Sequence, residues 1–562
     1  MNRAERRRLA KQQKRQAQSP SQSAAQDAEI ARLLSEAVGH LEGKRPKEAA
    51  RLCRQVLKRR PDQPDALNLA GIATFHLGDG EGALKLLREA TASRPEHVDS
   101  HNNLGNVLRL MGLHEEADEA YRAALAIAPD HVDAHFNRGL VLEALGRPAE
   151  AVACFERVVD QRPGFADAQL SLGNALKAIE RLDEAEAAYR RAVQLAPDQA
   201  AALINFGVVL RERGETSEAE AAYRRAIELA PQNPDAHYNL GIVLQDQARL
   251  EEAEACYRQV LGLAPDYVQA LINLGYVLQT SGRRSAALMA YERAVDMAPH
   301  LAEARVNLAE LQLDMGDAAK ALAGCEAFLA EHPGNTAVLA FKAVLLNELG
   351  EQEALEALVE GPGLLKPVRF TQAPDGGDIA ALNAALVEHL LAHPTLIEAP
   401  ASHATKDGRH SGELLVEPKG PVAMLERMIV EAVEGYGRDL PPGASHPFLA
   451  MRPARYALTV WGVVLSGAGH QVPHIHPSAW LSGVYYPKVP EQVQAAGAGQ
   501  AGWIEFGRPP THFHCGKAPK VAAYRPEEGL MLLFPSYLYH RTIPFEGDET
   551  RVSIAFDVRP VG

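Results

Sequence analysis

Cysteine is scarce in this chain, five residues among 562, and aromatic residues make up only 6% of it. No apolar run is long enough to cross a membrane as a helix, and the N-terminus lacks the apolar core of a secretory signal. A disulfide framework is not expected either: Cys53, Cys154, Cys256 and Cys325 read as buried thiols of a reducing cytoplasm. Positive charge is in deficit, with a net charge of −14. Met1 to Arg15 carries seven basic residues and one acid, so the tail adds +6 and the remainder carries −20. A body of that charge repels phosphate, which argues against a nucleic-acid partner. Residues 1–29 therefore read as a basic tail that runs into a polar, disordered Ser/Gln/Ala-rich tether.

What is abundant is repetition. Prolines at positions 61, 95, 129, 163, 197, 231, 265, 299 and 333 are spaced by 34 residues, and Gly105, Gly139, Gly173, Gly207, Gly241 and Gly275 keep the same step. So do Ala117, Ala151, Ala185 and Ala219, and the aromatic residues Tyr121, Phe155, Tyr189, Tyr223, Tyr257 and Tyr291. A 34-residue period with small residues facing aromatic ones predicts pairs of antiparallel helices, the tetratricopeptide pattern. Nine such units are expected over 30–335, followed by a degenerate repeat or cap and a linker over 336–360. A stack of this kind presents a groove suited to a protein or peptide. Asn103, Asn137, Asn205, Asn239, Asn273 and Asn307 hold one place in successive units, with Ser171 interrupting. Their carboxamides could pair with an extended peptide backbone, or bond neighbouring helix groups; the pattern fits both. The units resemble the repeats of the O-linked N-acetylglucosamine transferase, but no residue of that enzyme's catalytic domain is recognisable.

After Glu360 the pattern changes to short apolar runs, Tyr456 to Ser466, Trp480 to Tyr486, Trp503 to Phe506, Gly529 to Phe534 and Arg551 to Val558, separated by Gly, Pro and Ser. These predict strands of an antiparallel sandwich or barrel. Asp378 to His393 and Pro421 to Tyr436 read as helices packed on it. His474 and His476, two apart on an extended segment, point to one side, and His540 could close a triangle around Fe(II), Zn(II) or Cu(II). Arg551 can grip a carboxylate through two parallel bonds, with Ser553 as a further donor. The His512-Phe513-His514-Cys515 run is too isolated to predict a second metal site.

Residues 361–562 resemble a 2-oxoglutarate/Fe(II)-dependent oxygenase. The likeness rests on His474-Ile-His476-Pro477, Ser482-Gly-Val-Tyr-Tyr486, Phe534-Pro-Ser536, His540, Arg551-Val-Ser-Ile-Ala-Phe556 and the stretch Ala404 to His410. It implies a double-stranded β-helix of jelly-roll or cupin type, making the chain a multidomain protein with an all-α solenoid ahead of a mainly-β domain. It also implies Fe(II) on His474 and His540, 2-oxoglutarate on Arg551 and Ser553, and O2 as oxidant. The family's usual ligand carboxylate is replaced here by His476. Three ligand sets are open: His476 as third ligand, which the spacing favours; two histidines with water; or a carboxylate such as Glu505. Trp480, Tyr485 and Tyr486 are the expected pocket aromatics. A cytoplasmic hydroxylase acting on a protein or peptide held by the repeats is the leading expectation. The alternatives are an inactive peptide-binding scaffold, and a three-histidine dioxygenase or cupin that does not use 2-oxoglutarate.

Overall fold

The structure, a computed structural model, describes residues 20–360, 363–399, 404–440, 446–494 and 499–561. The basic tail lies outside the described residues. The polar stretch expected to be a tether is helical from Pro20, as part of a helix that runs to Glu42. Its alanines and glutamines are good helix formers, and composition alone hid this. Two compact units are present, Met1–Gln247 and Ala248–Gly562. Among the described residues, twenty helices precede the first strand. Among the described residues no helix is long and apolar enough to cross a membrane.

In the first unit, consecutive helices such as Val98–Leu110 and His114–Ile127 form antiparallel hairpins. What locks each hairpin is a glycine on the first helix set against an aromatic ring on the second. A Cβ added at Gly105, Gly139, Gly173 or Gly207 would lie 2.5–2.7 Å from a ring carbon of Tyr121, Phe155, Tyr189 or Tyr223. Those four rings are fully buried, and each contributes about 3 kcal/mol of apolar burial. The turn inside each hairpin needs a left-handed residue. Glycine supplies it at Gly78, Gly112, Gly146 and Gly214, whereas Glu180 adopts φ 61° despite its Cβ.

The second unit continues the pattern with the helices Leu250–Leu263, Val268–Thr280, Arg284–Met297, Ala302–Asp314 and Ala318–Glu331. In the last full hairpin the glycine and aromatic places hold Ala309 and Cys325, both buried, so a larger residue on one helix accompanies a smaller one on the other. Thr336–Leu349 and the eight-residue Gln352–Val359 form a tenth hairpin. Its first helix buries Val338, Phe341, Val344 and Leu345. Phe341 meets Phe513 edge-on at 5.1 Å, the Thr336 hydroxyl donates to the Pro477 carbonyl, and the Asn347 amide donates to the Ala518 carbonyl. One apolar cluster therefore runs from Ala309 in the hairpins to Val558 in the β-domain.

Among the described residues ten strands follow: β1 (Lys366–Arg369), β2 (Ile397–Glu398), β3 (Thr405–His410), β4 (Tyr456–Gln471), β5 (Leu481–Lys488), β6 (Ile504–Phe506), β7 (Ala522–Tyr524), β8 (Leu530–Pro535), β9 (His540–Thr542) and β10 (Arg551–Pro560). They form two antiparallel sheets, β1-β8-β5-β10-β4-β3-β2 and β7-β6-β9, as expected for a jelly-roll oxygenase domain. β10 lies in the middle of the larger sheet between β5 and β4. The helices Ile379–Leu391 and Val422–Asp439 stand where the sequence placed them. Leu390 packs over Gly462 of β4 so closely that a Cβ there would meet its methyl carbons. With that outer face covered, the inward residues of β10, β4 and β5 are left to line a cavity.

Candidate metal centre

The three histidines converge. His474, just after β4, and His540, at the start of β9, exchange backbone hydrogen bonds in both directions at 3.1 Å. One coordinating atom from each of His474, His476 and His540 lies within 4.8 Å of the others. Each ring is oriented by a bond from Nδ1: His474 to the Val472 carbonyl at 2.8 Å, His540 to the Leu538 carbonyl at 3.0 Å, and His476 to Asp557 Oδ1 at 2.6 Å. Carbonyl oxygens only accept, so Nδ1 of His474 and His540 carries the proton and Nε2 offers its lone pair. Burial, reinforced by the neighbouring His476, lowers the His474 pKa to about 4, and burial holds His540 well below the usual imidazole value. Both are thus neutral at pH 7, the state a metal needs. Two neutral imidazoles, with a third ring converging on the same point of a concave wall, fit a divalent transition metal.

Glu505 is not part of this cluster. It accepts from Arg508 Nε and Arg541 Nε, both at 2.6 Å. Burial works to raise its pKa, yet the two arginines hold it below the ordinary value. His514 pairs with Asp314 at 3.3 Å, and the His512 to Cys515 run forms no metal cluster among the described residues.

The histidines line a cavity of about 340 Å³ that also contains Trp461, Gln471, Tyr486, Phe534, Thr542, Arg551 and Ser553. Strand alternation brings Arg551, Ser553 and Ala555 of β10 to its wall. Arg551 is only 2% exposed. Its Nη1 donates to Thr542 Oγ1 at 3.0 Å, its guanidinium stands 5.1 Å over the Tyr486 ring, and its Nε has no partner. Among the described residues no carboxylate forms an ion pair with it. A buried guanidinium without an anion is costly, and a bound carboxylate would neutralise it.

Of the expected pocket aromatics only Tyr486 reaches the cavity. Tyr485, its neighbour on β5, points to the opposite face and donates to Asn383. Trp480 precedes the strand, stacks on Phe448 at 4.9 Å and donates to the Phe448 carbonyl. Sequence reasoning missed Thr542, Trp461 and Asp557. The alternation that selected Arg551 and Ser553 reaches Asp557 two steps further along β10.

The asparagine places are half-buried throughout. Asn103 donates to Asn68, Asn205 to Asn174 Oδ1, Asn239 to the Asp235 carbonyl and Asn273 to the Tyr257 hydroxyl. Asn174 Oδ1 also accepts from the Tyr189 hydroxyl. The bonds of Asn103, Asn205 and Asn273 join neighbouring helices, whereas that of Asn239 stays within its own helix.

Residues 459–557 match the family model described as "Putative 2OG-Fe(II) oxygenase". Tetratricopeptide repeat models match 40–106, 97–163, 136–200, 234–300 and 278–345, and a TPR repeat model matches 207–248. Solved structures similar to the chain include YrrB, a TPR protein with an unusual peptide-binding site, at 26% identity and TM-score 0.30, covering 33% of this chain and 95% of that one. PilF of Pseudomonas aeruginosa matches at 20% identity and TM-score 0.35, covering 39% and 99%. MamA from Desulfovibrio magneticus matches at 23% identity and TM-score 0.30, covering 31% and 97%. No curated protein matches. The chain joins tetratricopeptide repeats to a C-terminal domain of the 2OG-Fe(II) oxygenase type.

Proposed function

We propose that the protein is a 2-oxoglutarate- and Fe(II)-dependent oxygenase that hydroxylates a protein or peptide held by its repeats. The observation that carries the reading is Arg551, buried and without an anion among the described residues, in the same cavity as three convergent imidazoles. His474, His476 and His540 would hold the iron. Iron, when bound, supplies the chemistry that couples decarboxylation of 2-oxoglutarate by O2, giving succinate and carbon dioxide, to hydroxylation of a C–H bond. Arg551, steadied by Thr542 and the face of Tyr486, binds the far carboxylate of the co-substrate, and Ser553 adds a hydroxyl. Val463, Ile504 and Phe534 give the cavity apolar walls that limit water around the reacting groups. The repeats support a macromolecular substrate, since such arrays commonly bind proteins or peptides.

Anaerobic titration of the metal-free protein with Fe(II) and 2-oxoglutarate tests this reading through the weak visible charge-transfer band of the chelate. The band is expected with wild type and is lost in His540→Ala and Arg551→Ala. Metal binding without a band, insensitive to Arg551→Ala, would replace this reading with a three-histidine dioxygenase or cupin. No metal binding would leave a peptide-binding scaffold.

A further inference from the structure

Asp557 is a second unbalanced charge in the same site, and it faces the metal ligands. The residue is 8% exposed and lies on β10, in register with Ser482 of β5. Its Oδ1 accepts from His476 Nδ1 at 2.6 Å and from the Ser482 hydroxyl at 2.7 Å. Among the described residues no lysine or arginine pairs with it. Arg551 is six residues away on the same strand, about 20 Å along it, too far to serve. Trp461 leans against His476 at 5.5 Å, so that ring is held from two sides.

Three neutral imidazoles would leave a divalent cation without any anionic protein ligand. A carboxylate bonded to the far nitrogen of one imidazole makes that ring more basic and draws its electron density toward the metal. We propose that Asp557 is a positioning residue that supplies, through His476, the negative charge that a directly coordinating carboxylate would otherwise give. On the proposed three-histidine centre, His476 and Asp557 then act as one extended anionic ligand. Ser482 fixes the carboxylate so that its charge stays on the His476 side.

Titration of the metal-free full-length protein with Co(II), followed by its visible d–d absorption, tests the role without turnover. Asp557→Asn preserves size and a hydrogen-bond acceptor but removes the charge, and it is expected to weaken Co(II) binding about 10–100-fold and to shift the band. Ser482→Ala, a milder change that keeps the charge, is expected to weaken binding by severalfold. The decisive arm is His476→Asp, which puts a carboxylate directly on the metal. In that background Asp557→Asn should strengthen binding, because it removes repulsion between two adjacent carboxylates. An equal loss from Asp557→Asn in both backgrounds, or a change within twofold in wild type, would reduce Asp557 to a structural hydrogen bond and overturn the proposal. Absence of Co(II) binding to wild type would overturn the three-histidine centre itself, and the role of Asp557 with it.

Discussion

The helical repeats and the cavity of the β-domain treat buried charge in opposite ways. In the repeats three buried acids are each shared between two arginines: Asp118 with Arg138 and Arg147, Glu186 with Arg190 and Arg213, Glu254 with Arg258 and Arg283. At the histidine site, among the described residues, Arg551 pairs with no carboxylate, and the charged-type partner of Asp557 is His476 alone, beside the Ser482 hydroxyl. Paired charges make a scaffold complete in itself. Unpaired charges make a site whose electrostatics close only when something binds. The difference separates framework from function more sharply than exposure does, because the four acids and Arg551 are all buried to a similar degree.

The largest effects should come from substitutions that reverse this pattern. Asp118→Ala leaves Arg138 only its longer pair with Glu150, at 3.7 Å, and the protein should lose about 2 kcal/mol of stability by chemical denaturation. Arg551→Met should instead leave the ligand-free protein as stable as wild type or more so, while isothermal titration shows 2-oxoglutarate affinity falling roughly 100-fold. Loss of stability in Arg551→Met equal to that in Asp118→Ala would erase the distinction.

A pH series sharpens it next. The His474 pKa of about 4 in the folded, metal-free protein lies below an unfolded value near 6.5. Between those values the unfolded chain binds more protons, so this stability is full above about pH 6.5 and is lost as pH falls toward 4. The loss from His474 is about 1.4 kcal/mol per pH unit within that window. Thermal unfolding of the metal-free protein should show it, and His474→Leu should flatten the curve. A curve unchanged by His474→Leu would mean that the ring is not held in its buried, neutral state.

Within the repeats, Gly207→Ala puts a methyl group 2.7 Å from the Tyr223 ring and should cost about 2 kcal/mol in a denaturation experiment. The smallest effect runs the other way. Ala248 occupies the left-handed turn position at φ 58° where most hairpins have glycine. Ala248→Gly should stabilise by about 0.5 kcal/mol, read as a rise in denaturation midpoint; a fall would show that its Cβ contributes packing that outweighs the strain.

Much of the fold class was readable in advance because its determinants are local. A glycine and the ring that fills its place are 16 residues apart, as in Gly105 and Tyr121, and recur with the hairpin. The five strands named from apolar runs are all present, while the short β1, β2, β7 and β9 carry too few residues for a periodicity to register. The tenth hairpin was harder to read. Its first helix is apolar because Phe341 meets the Phe513 ring of the β-domain, a contact that no 34-residue pattern encodes.

Sequence alone therefore determined the hairpin architecture and the residues able to share a face: His474 with His476, and Arg551 with Ser553, since helical and strand periodicities are properties of the local backbone. Tertiary structure decided which faces turn inward and what meets there. The helix Ile379–Leu391 takes Tyr485 on the outer side of β5 and leaves Tyr486 to the cavity. The backbone bridge between His474 and His540 closes the ligand triangle, Thr542 steadies Arg551, and Asp557 reaches His476. Each of these joins residues distant in the chain, and only the packing of whole elements brings such groups within hydrogen-bond reach.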